Sequence, residues 1–322
     1  TMDIMGVDKQ LIFPQVVLAL PAWSDHPNAG RVLREYNEAV IRWTEQGGGR
    51  LRPTALLNLM TIGGAIEEAE RVVSGGARAI LLQDGIAPGG FSPAAPEVDP
   101  LWALLARAGI AVTFHIGGQQ GFFGDETWQD AELLRPGTFS TGEPVGPHML
   151  ATMHLSPQNY LASMLYGGVF DRHPTLRVGI IELGAMWVGP FVDLRDDRLQ
   201  MSRRLRQSLQ RRPAEVFSDQ VRVTPFFWER TARQIERYGL PEVYAFSTDN
   251  LRTPAARPLM APPTSNERSH RGGRRHPQVA SRTSLVPSGP VEVRLLGPPP
   301  LGTRMASRMV GDGTVVVSGP AG

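Results

Sequence analysis

The stretch DPLWALLARAGIAVTFHIG (99–117) contains an amphipathic helical run that ends at Gly109 and leads directly into an apolar run that ends at His115. It predicts a helix at 99–109 followed by a strand at 110–116, because Gly commonly ends helices and short apolar runs form buried strands. Six other runs predict strands: QLIFPQVV (10–17), PTALLNL (53–59), ARAILLQ (77–83), LRVGIIEL (176–183), QVRVTPFF (220–227) and EVYAFST (242–248). Further helices are predicted at 30–46, 62–76 and 229–239. This alternation is typical of βα units around a parallel sheet, and an open doubly wound sheet and a barrel both fit it.

The composition excludes several classes of protein. The 322 residues are 41% hydrophobic and 20% charged, within the range of globular proteins. The chain has no cysteine, so disulfides and thiolate nucleophiles are excluded and any metal must be bound by His, Asp or Glu. The apolar runs are too short to span a membrane, and the first residues, TMDIMGVDKQ, lack the pattern of a signal peptide. We therefore expect a cytoplasmic protein without a membrane partner.

The composition of the chain changes near residue 250. Residues 251–322 contain 10 Arg, 3 acidic residues, 11 Pro and no aromatic residue, whereas residues 1–250 carry 23 basic and 28 acidic residues. A segment without aromatics or periodicity cannot easily form a packed core, so we expect a folded domain at 1–249 and a mostly disordered basic tail at 250–322. The tail has no aromatic side chains to stack on bases and no recognised motif, so nucleic acid is not a favoured partner.

Polar residues stand at the carboxyl ends of the predicted strands, where active sites of parallel α/β folds lie. The candidates are Asn58, Gln83, Asp84, His115, Glu182 and Asp249. The last three are good metal ligands or acid–base groups. Each of the three also has a purely structural interpretation. His115 could be a buried histidine whose hydrogen bonds are satisfied, Glu182 could pair with an arginine, and Asp249 could cap the next helix. Burying three polar groups at the ends of apolar strands is costly unless they share a partner, and a divalent metal is such a partner.

Four segments resemble one family in the same order along the chain. The most specific is GGVFDRHPTLRVGIIELGAMWVGPFVDLRDDR (167–198), and the others are MGVDKQLIFP (5–14), the quoted stretch at 99–117, and YAFSTD (244–249). They are similar to the amidohydrolase-related (amidohydrolase 2) family, the group that contains aminocarboxymuconate semialdehyde decarboxylase. The resemblance implies a (β/α)₈ TIM-type barrel of the metal-dependent hydrolase kind. It also implies one divalent metal ion, zinc by expectation, and hydrolysis or non-oxidative decarboxylation of a small carboxylated substrate, and it leaves a homodimer open.

The same resemblance assigns roles to the three strand-end residues. His115 matches the metal-ligating histidine of the fifth barrel strand, and Asp249 matches the eighth-strand aspartate, which binds the metal or faces it as a base. Glu182 occupies the place of the acid–base histidine of the decarboxylase, and a carboxylate there could move the same proton. We expect the three side chains to converge at one mouth of the barrel.

The sequence departs from the family pattern in two places. It lacks the first strand with its paired His-x-His or Glu-x-His ligands, so an incomplete barrel is expected, in which VEVRLL (291–296) or TVVV (314–317) could fill the gap. His115 and Asp249 alone are two ligands, and working sites normally use at least three, so weak or absent metal binding is expected. The second departure is the abrupt end of the resemblance at Asp249, which we interpret as a frameshifted tail or a natural extension. Two alternatives to an enzyme therefore remain, a catalytically inactive fragment and a non-enzymatic binding protein.

Overall fold

A computed structural model of the chain describes residues 2–3, 7–14, 22, 24–116, 128, 130–134 and 146–247 and, as backbone alone, residues 137–138, 144–145 and 314–318. Within this part, nine strands are present: β1 Lys9–Phe13, β2 Leu51–Leu56, β3 Ala79–Leu81, β4 Ala111–His115, β5 Gly137–Thr138, β6 Pro144–Val145, β7 Arg177–Ile181, β8 Val221–Val223 and β9 Thr314–Ser318. Seven of them form one sheet in the order β8-β7-β4-β3-β2-β1-β9, and β5 and β6 form a separate two-stranded antiparallel sheet. All pairs in the large sheet are parallel.

Helices connect the strands and cover the outer face of the sheet. They are α1 Ala29–Glu45, α2 Ile62–Ser74, α3 Asp99–Ala108, α4 Pro147–Thr152, α5 Leu155–Tyr166, α6 Val169–Arg172, α7 Val188–Met201, α8 Arg203–Ser208, α9 Pro213–Gln220 and α10 Thr231–Tyr238. Among the described residues, no helix combines the length and the apolar character needed to cross a membrane.

The two faces of the sheet carry separate apolar clusters. Alternate residues of β4 point to opposite faces, so Val112 and Phe114 join the large cluster that includes Trp102 of α3. The inner cluster contains Ala111 together with residues of β1, β2, β3 and β7, among them Phe13 and Ile181. A parallel sheet with helices on its outside and a second core on its inside is the architecture of an incomplete (β/α)₈ barrel, which confirms the predicted fold class.

Several element boundaries differ from the prediction. Strand β1 ends at Phe13, where Pro14 has no N–H to donate, and β8 ends at Val223, two residues before Pro225. The predicted strand at 242–248 is described up to residue 247 and is confirmed only in part: it begins as a short 3-10 helix, Pro241–Val243, after which Tyr244 forms a parallel bridge with Val223 and Ser247 forms a further bridge. Helices α4 and α5 lie between the predicted strands at 110–116 and 176–183, where the sequence analysis predicted no helix.

The tail contributes one strand to the described structure. TVVV lies in β9, which pairs in parallel with β1 and follows it in the strand order of the large sheet. The rest of 250–322, including VEVRLL, lies outside the described residues, so its expected disorder stays a prediction.

A buried asparagine joins α1 to the end of β2. Asn37 is fully buried, and its amide nitrogen donates to the carbonyl oxygen of Leu56 (2.9 Å) while its amide oxygen accepts from the Leu56 N–H (2.8 Å). The same nitrogen lies 2.8 Å from a carboxylate oxygen of Glu68 on α2. The side chain thus satisfies both backbone groups of Leu56, as the backbone of a neighbouring strand would.

Candidate active site at the carboxyl ends of the strands

His115 is the last residue of β4, and its side chain faces the interior of the barrel. Ala111 and Thr113 share its face of the strand because side chains alternate along a strand. The imidazole is 5% exposed and stacks against the ring of Phe13 in β1, with 5.4 Å between ring centroids and 28° between planes. Its Nδ1 lies 3.2 Å from the carbonyl oxygen of Ile116. Because a carbonyl only accepts, this hydrogen bond requires the proton on Nδ1.

Glu182 follows β7, the strand that pairs with β4. It has a φ of 55°, in the left-handed region that residues with a side chain rarely adopt. The backbone turns away from the strand direction there, and its N–H donates to the hydroxyl of Thr224 (3.1 Å). The Glu182 carboxylate is 17% exposed, and its Oε2 lies 3.4 Å from His115 Nε2.

These contacts set the chemistry between the two side chains. With Nδ1 protonated, the Nε2 of a neutral His115 is an acceptor, and an ionised Glu182 carboxylate also only accepts. Two acceptors 3.4 Å apart do not hydrogen-bond to each other, and a cation between or beside them, either a proton or a metal ion, stabilises this approach. A divalent ion bound to His115 Nε2 at about 2.0–2.2 Å would lie close to the Glu182 carboxylate, whose negative charge favours it, so the residues present fit such an ion.

The other predicted site residues have different surroundings. Asn58 donates to the carbonyl of Ser24 (2.7 Å) and accepts from the Met60 N–H (2.7 Å), so it organises the loop after β2. Asp84 is buried, and its backbone carbonyl accepts from the Ser156 hydroxyl (2.6 Å). Gln83 is 7% exposed, and within the described part of the chain its side-chain oxygen has no hydrogen-bond partner.

The full ligand set is not contained in the described residues. No group of three or more His, Asp or Glu side chains within them could hold a metal ion. Asp249, the other predicted ligand, lies outside them, so its convergence with His115 stays a prediction.

An apolar recess of about 570 Å³ lies next to Leu183 and Gly184, which follow Glu182, between the ends of β7 and β8 and the α4–α5 junction. Its lining is Leu150, Met153, His154, Leu183, Gly184, Met186, Trp187, Phe226, Trp228 and Glu229. Burial lowers the pKa of His154, and the negative charge of Glu229 opposes part of this effect. His154 is therefore predominantly neutral at pH 7, so the recess offers an uncharged hydrogen-bonding group among aromatic walls.

Sequence reasoning missed Thr224, His154 and Glu229. Thr224 lies within the strand predicted at 220–227, so its place just after a strand end becomes visible only because the strand stops at Val223 in the structure. Glu229 and His154 stand in loops or at helix starts, where no local pattern distinguishes them. Their position around Leu183 and Gly184 depends on contacts between segments far apart in the sequence.

Comparison with known proteins gives one family and a set of similar folds. A family model described as amidohydrolase matches residues 2–250. No curated protein matches the chain.

Three solved structures illustrate the likeness in fold. An amidohydrolase from Mycobacterium avium subsp. paratuberculosis K-10 is 21% identical, with a TM-score of 0.62, over 77% of this chain and 62% of that chain. The 5-carboxyvanillate decarboxylase from Sphingomonas paucimobilis is 17% identical, with a TM-score of 0.55, over 76% and 68%. The dihydroxybenzoic acid decarboxylase from Polaromonas sp. JS666, solved with manganese and the inhibitor 2-nitroresorcinol, is 15% identical, with a TM-score of 0.56, over 76% and 72%. The chain thus spans less than two thirds of the Mycobacterium amidohydrolase.

Proposed function

Because the chain belongs to the amidohydrolase family, a family of enzymes, we propose that it is a metal-dependent enzyme that decarboxylates or hydrolyses a small carboxylated substrate at the His115–Glu182 site. The observation that carries this proposal is the approach of His115 Nε2 and Glu182 Oε2 to 3.4 Å, in an arrangement that a cation stabilises. This buried pair lies at the carboxyl ends of adjacent barrel strands, which is where enzymes of this fold have their active sites.

In this proposal, His115 and Asp249 bind one divalent ion. The contact between His115 Nδ1 and the Ile116 carbonyl fixes the tautomer that leaves Nε2 free to bind a cation. The Phe13 ring stacks on the imidazole and limits its rotation. When bound, the ion supplies a Lewis acid that polarises a substrate oxygen.

Glu182 moves the proton. In decarboxylation, the electron pair of the breaking C–C bond stays on the substrate carbon, CO₂ leaves, and Glu182 delivers a proton from Oε2 to that carbon. In hydrolysis, the same oxygen takes a proton from the attacking water and returns it to the leaving group. Glu182 therefore begins decarboxylation protonated and regains its proton from solvent, whereas it begins hydrolysis ionised and is ionised again once the leaving group has taken the proton.

The substrate proposed is an aromatic or enol acid. The solved decarboxylases act on ring carboxylates, as their names state, and one was solved with 2,6-dihydroxybenzoate. Gln83 is a candidate to bind a hydroxyl of such a substrate, because Leu81 pairs with Thr113 and the chain two residues further reaches the level of His115. Zinc is the metal favoured from the sequence. Manganese, present in the Polaromonas enzyme, is tested beside it.

The test measures metal binding and turnover on the same protein. Metal-stripped protein is titrated with Mn²⁺ or Zn²⁺ by calorimetry, and loss of 2,6-dihydroxybenzoate or 5-carboxyvanillate is followed by absorbance with and without chelator. His115→Phe keeps a ring against Phe13 but removes the nitrogen ligand, and Glu182→Gln removes the proton carrier. His173→Gln is the matched control, because His173 is also mostly buried and pairs with a carboxylate, Asp99, at 3.0 Å.

We expect His115→Phe to weaken metal binding by at least about 10-fold, while His173→Gln changes it by less than about 2-fold. Glu182→Gln should lower turnover far more than it weakens metal binding. Wild-type protein that binds neither ion below millimolar concentrations would contradict the proposal. Ligand binding that chelators leave unchanged would instead support the non-enzymatic alternative. Light scattering of the same sample tests the proposed homodimer.

A further inference from the structure

The chain leaves the regular strand path where β7 ends. Glu182 and Gly184 both have positive φ values, 55° and 69°, and Leu183 lies between them. A left-handed backbone is easy for glycine but unfavourable for glutamate, whose Cβ crowds the backbone. Such a conformation persists only where the surroundings hold it. It directs the carboxylate toward His115, so what holds the backbone of Glu182 also positions its side chain.

Thr224 holds this turn from the β8 side. Its backbone N–H donates to the carbonyl oxygen of Ile180 (2.9 Å), which continues the parallel pairing of β7 with β8. Beyond this point, the Glu182 N–H donates to the Thr224 hydroxyl (3.1 Å), and that hydroxyl lies 3.4 Å from the Ile180 carbonyl oxygen to which it donates. Thr224 is 2% exposed, so water does not compete for these hydrogen bonds.

Glu229 holds the other side of the turn. Its carboxylate accepts from the backbone N–H groups of Ala185 (3.0 Å to each oxygen), Met186 (3.2 Å) and Phe226 (2.8 Å). A side chain at Gly184 would bring its Cβ within 3.1 Å of the same carboxylate, so a glycine fits this approach best. One carboxylate therefore binds the loop after β7 to the loop after β8.

We propose that Thr224 and Glu229 are positioning residues that hold Glu182 in its left-handed conformation and thereby set its carboxylate against His115. The role rests on the proposed function, in which Glu182 carries the proton. Neither residue contacts the reacting atoms in this proposal. They act through the backbone on either side of Glu182.

Two substitutions at Thr224 test the first half of the proposal. Thr224→Val keeps the shape but cannot accept from the Glu182 N–H, whereas Thr224→Ser keeps the hydroxyl. Crystal structures of both variants should show Glu182 out of the left-handed region and its carboxylate away from His115 only in Thr224→Val, with β7 and β8 unchanged. If Thr224→Val does not fold, Thr224→Ala removes the same hydroxyl without adding a methyl group.

Glu229→Gln tests the second half. The amide replaces one accepting oxygen with a donor that faces a backbone N–H, so the loop from Gly184 to Met186 should shift in its crystal structure. Glu215→Gln is the matched control, because Glu215 also accepts from a backbone N–H, that of Arg212 (3.0 Å), at the start of α9. We expect Glu215→Gln to leave the Glu182 loop unchanged.

A mutant cycle separates positioning from general stability. If Thr224 acts through Glu182, Thr224→Val should slow turnover by about 10-fold in the wild type but change the residual turnover of Glu182→Gln by less than about 2-fold. Equal effects in both backgrounds would overturn the positioning role. So would a Thr224→Val or Glu229→Gln structure that keeps Glu182 in place. Failure of the wild type to bind metal or turn over substrate would count against the proposed function alone. The positioning role is tested separately, by the crystal structures of the Thr224 and Glu229 variants.

Discussion

Replacing Asn37 with leucine tests whether its side-chain amide stabilises the protein by bonding the backbone groups at the end of β2. The side chains are similar in size, so the change removes hydrogen bonds without opening a large cavity. In the wild type, both backbone groups of Leu56 bond to Asn37, at 2.9 and 2.8 Å. After the substitution neither group has this partner, and α1 blocks the approach of water because Asn37 is fully buried.

The expected loss follows from these contacts. Each buried backbone group left unsatisfied costs about 1–3 kcal/mol, so two groups cost about 4 kcal/mol. Burying the leucine side chain returns about 2 kcal/mol. Glu68 loses one donor but keeps two hydrogen bonds from Arg71, at 2.8 and 2.6 Å, so it adds little. We expect Asn37→Leu to lower the free energy of unfolding by about 2 kcal/mol.

Urea unfolding followed by tryptophan fluorescence measures this difference. Thr44→Val is the matched control on the same helix. The Thr44 hydroxyl is also buried, but it donates to the carbonyls of Val40 and Ile41 within its own helix, so its removal should cost less than about 1 kcal/mol. A loss below about 0.5 kcal/mol in Asn37→Leu would refute the reasoning, as would equal losses in the two variants.

Two further predictions concern other positions. Gly184→Ala should lower the free energy of unfolding by about 1–2 kcal/mol, because it forces a side chain into a φ of 69°, whereas Gly30→Ala in open space on α1 should be neutral or slightly stabilising by the same urea assay. Burial alone would raise the pKa of Asp99, but hydrogen bonds from His173 and Arg172 hold it below its ordinary value of 3.8. The folded state thus gains stability from Asp99 above that value and loses it as the pH falls further, so melting temperatures of Asp99→Asn should decline less than those of the wild type between about pH 4 and 2.5; parallel curves would contradict this.

The sequence predicted the part of the site that depends on strand ends. His115 and Glu182 each close an apolar run, and the carboxyl ends of paired parallel strands meet at one edge, so their approach follows from local pattern and fold class. The fold class itself followed from the alternation of helices and strands. Helix α7 was not predicted, because its buried residues, Val188, Phe191, Val192 and Leu199 among them, are interrupted by Gly189 and Pro190 near its start.

The positioning residues could not be predicted in the same way. Thr224 lies 42 residues from Glu182, and Glu229 lies 44 residues from Ala185, so their contacts exist only once β7 and β8 are paired. The left-handed backbone of Glu182 could not be predicted either, because a glutamate in the sequence does not indicate a positive φ. Only Gly184, two residues later, marks this turn in the sequence.

The stacking of Phe13 on His115 shows that the sheet is strongly curved between β1 and β4. Strands β1 and β4 are separated by β2 and β3, so in a flat sheet they would stand about 14 Å apart, at about 4.8 Å per strand. Their rings nevertheless lie 5.4 Å apart, which requires the sheet to bend until its first strand faces its fourth across the interior. Flattening the sheet would separate the two rings and remove this contact from the imidazole. The orientation of His115 therefore depends on the curvature that closes the barrel.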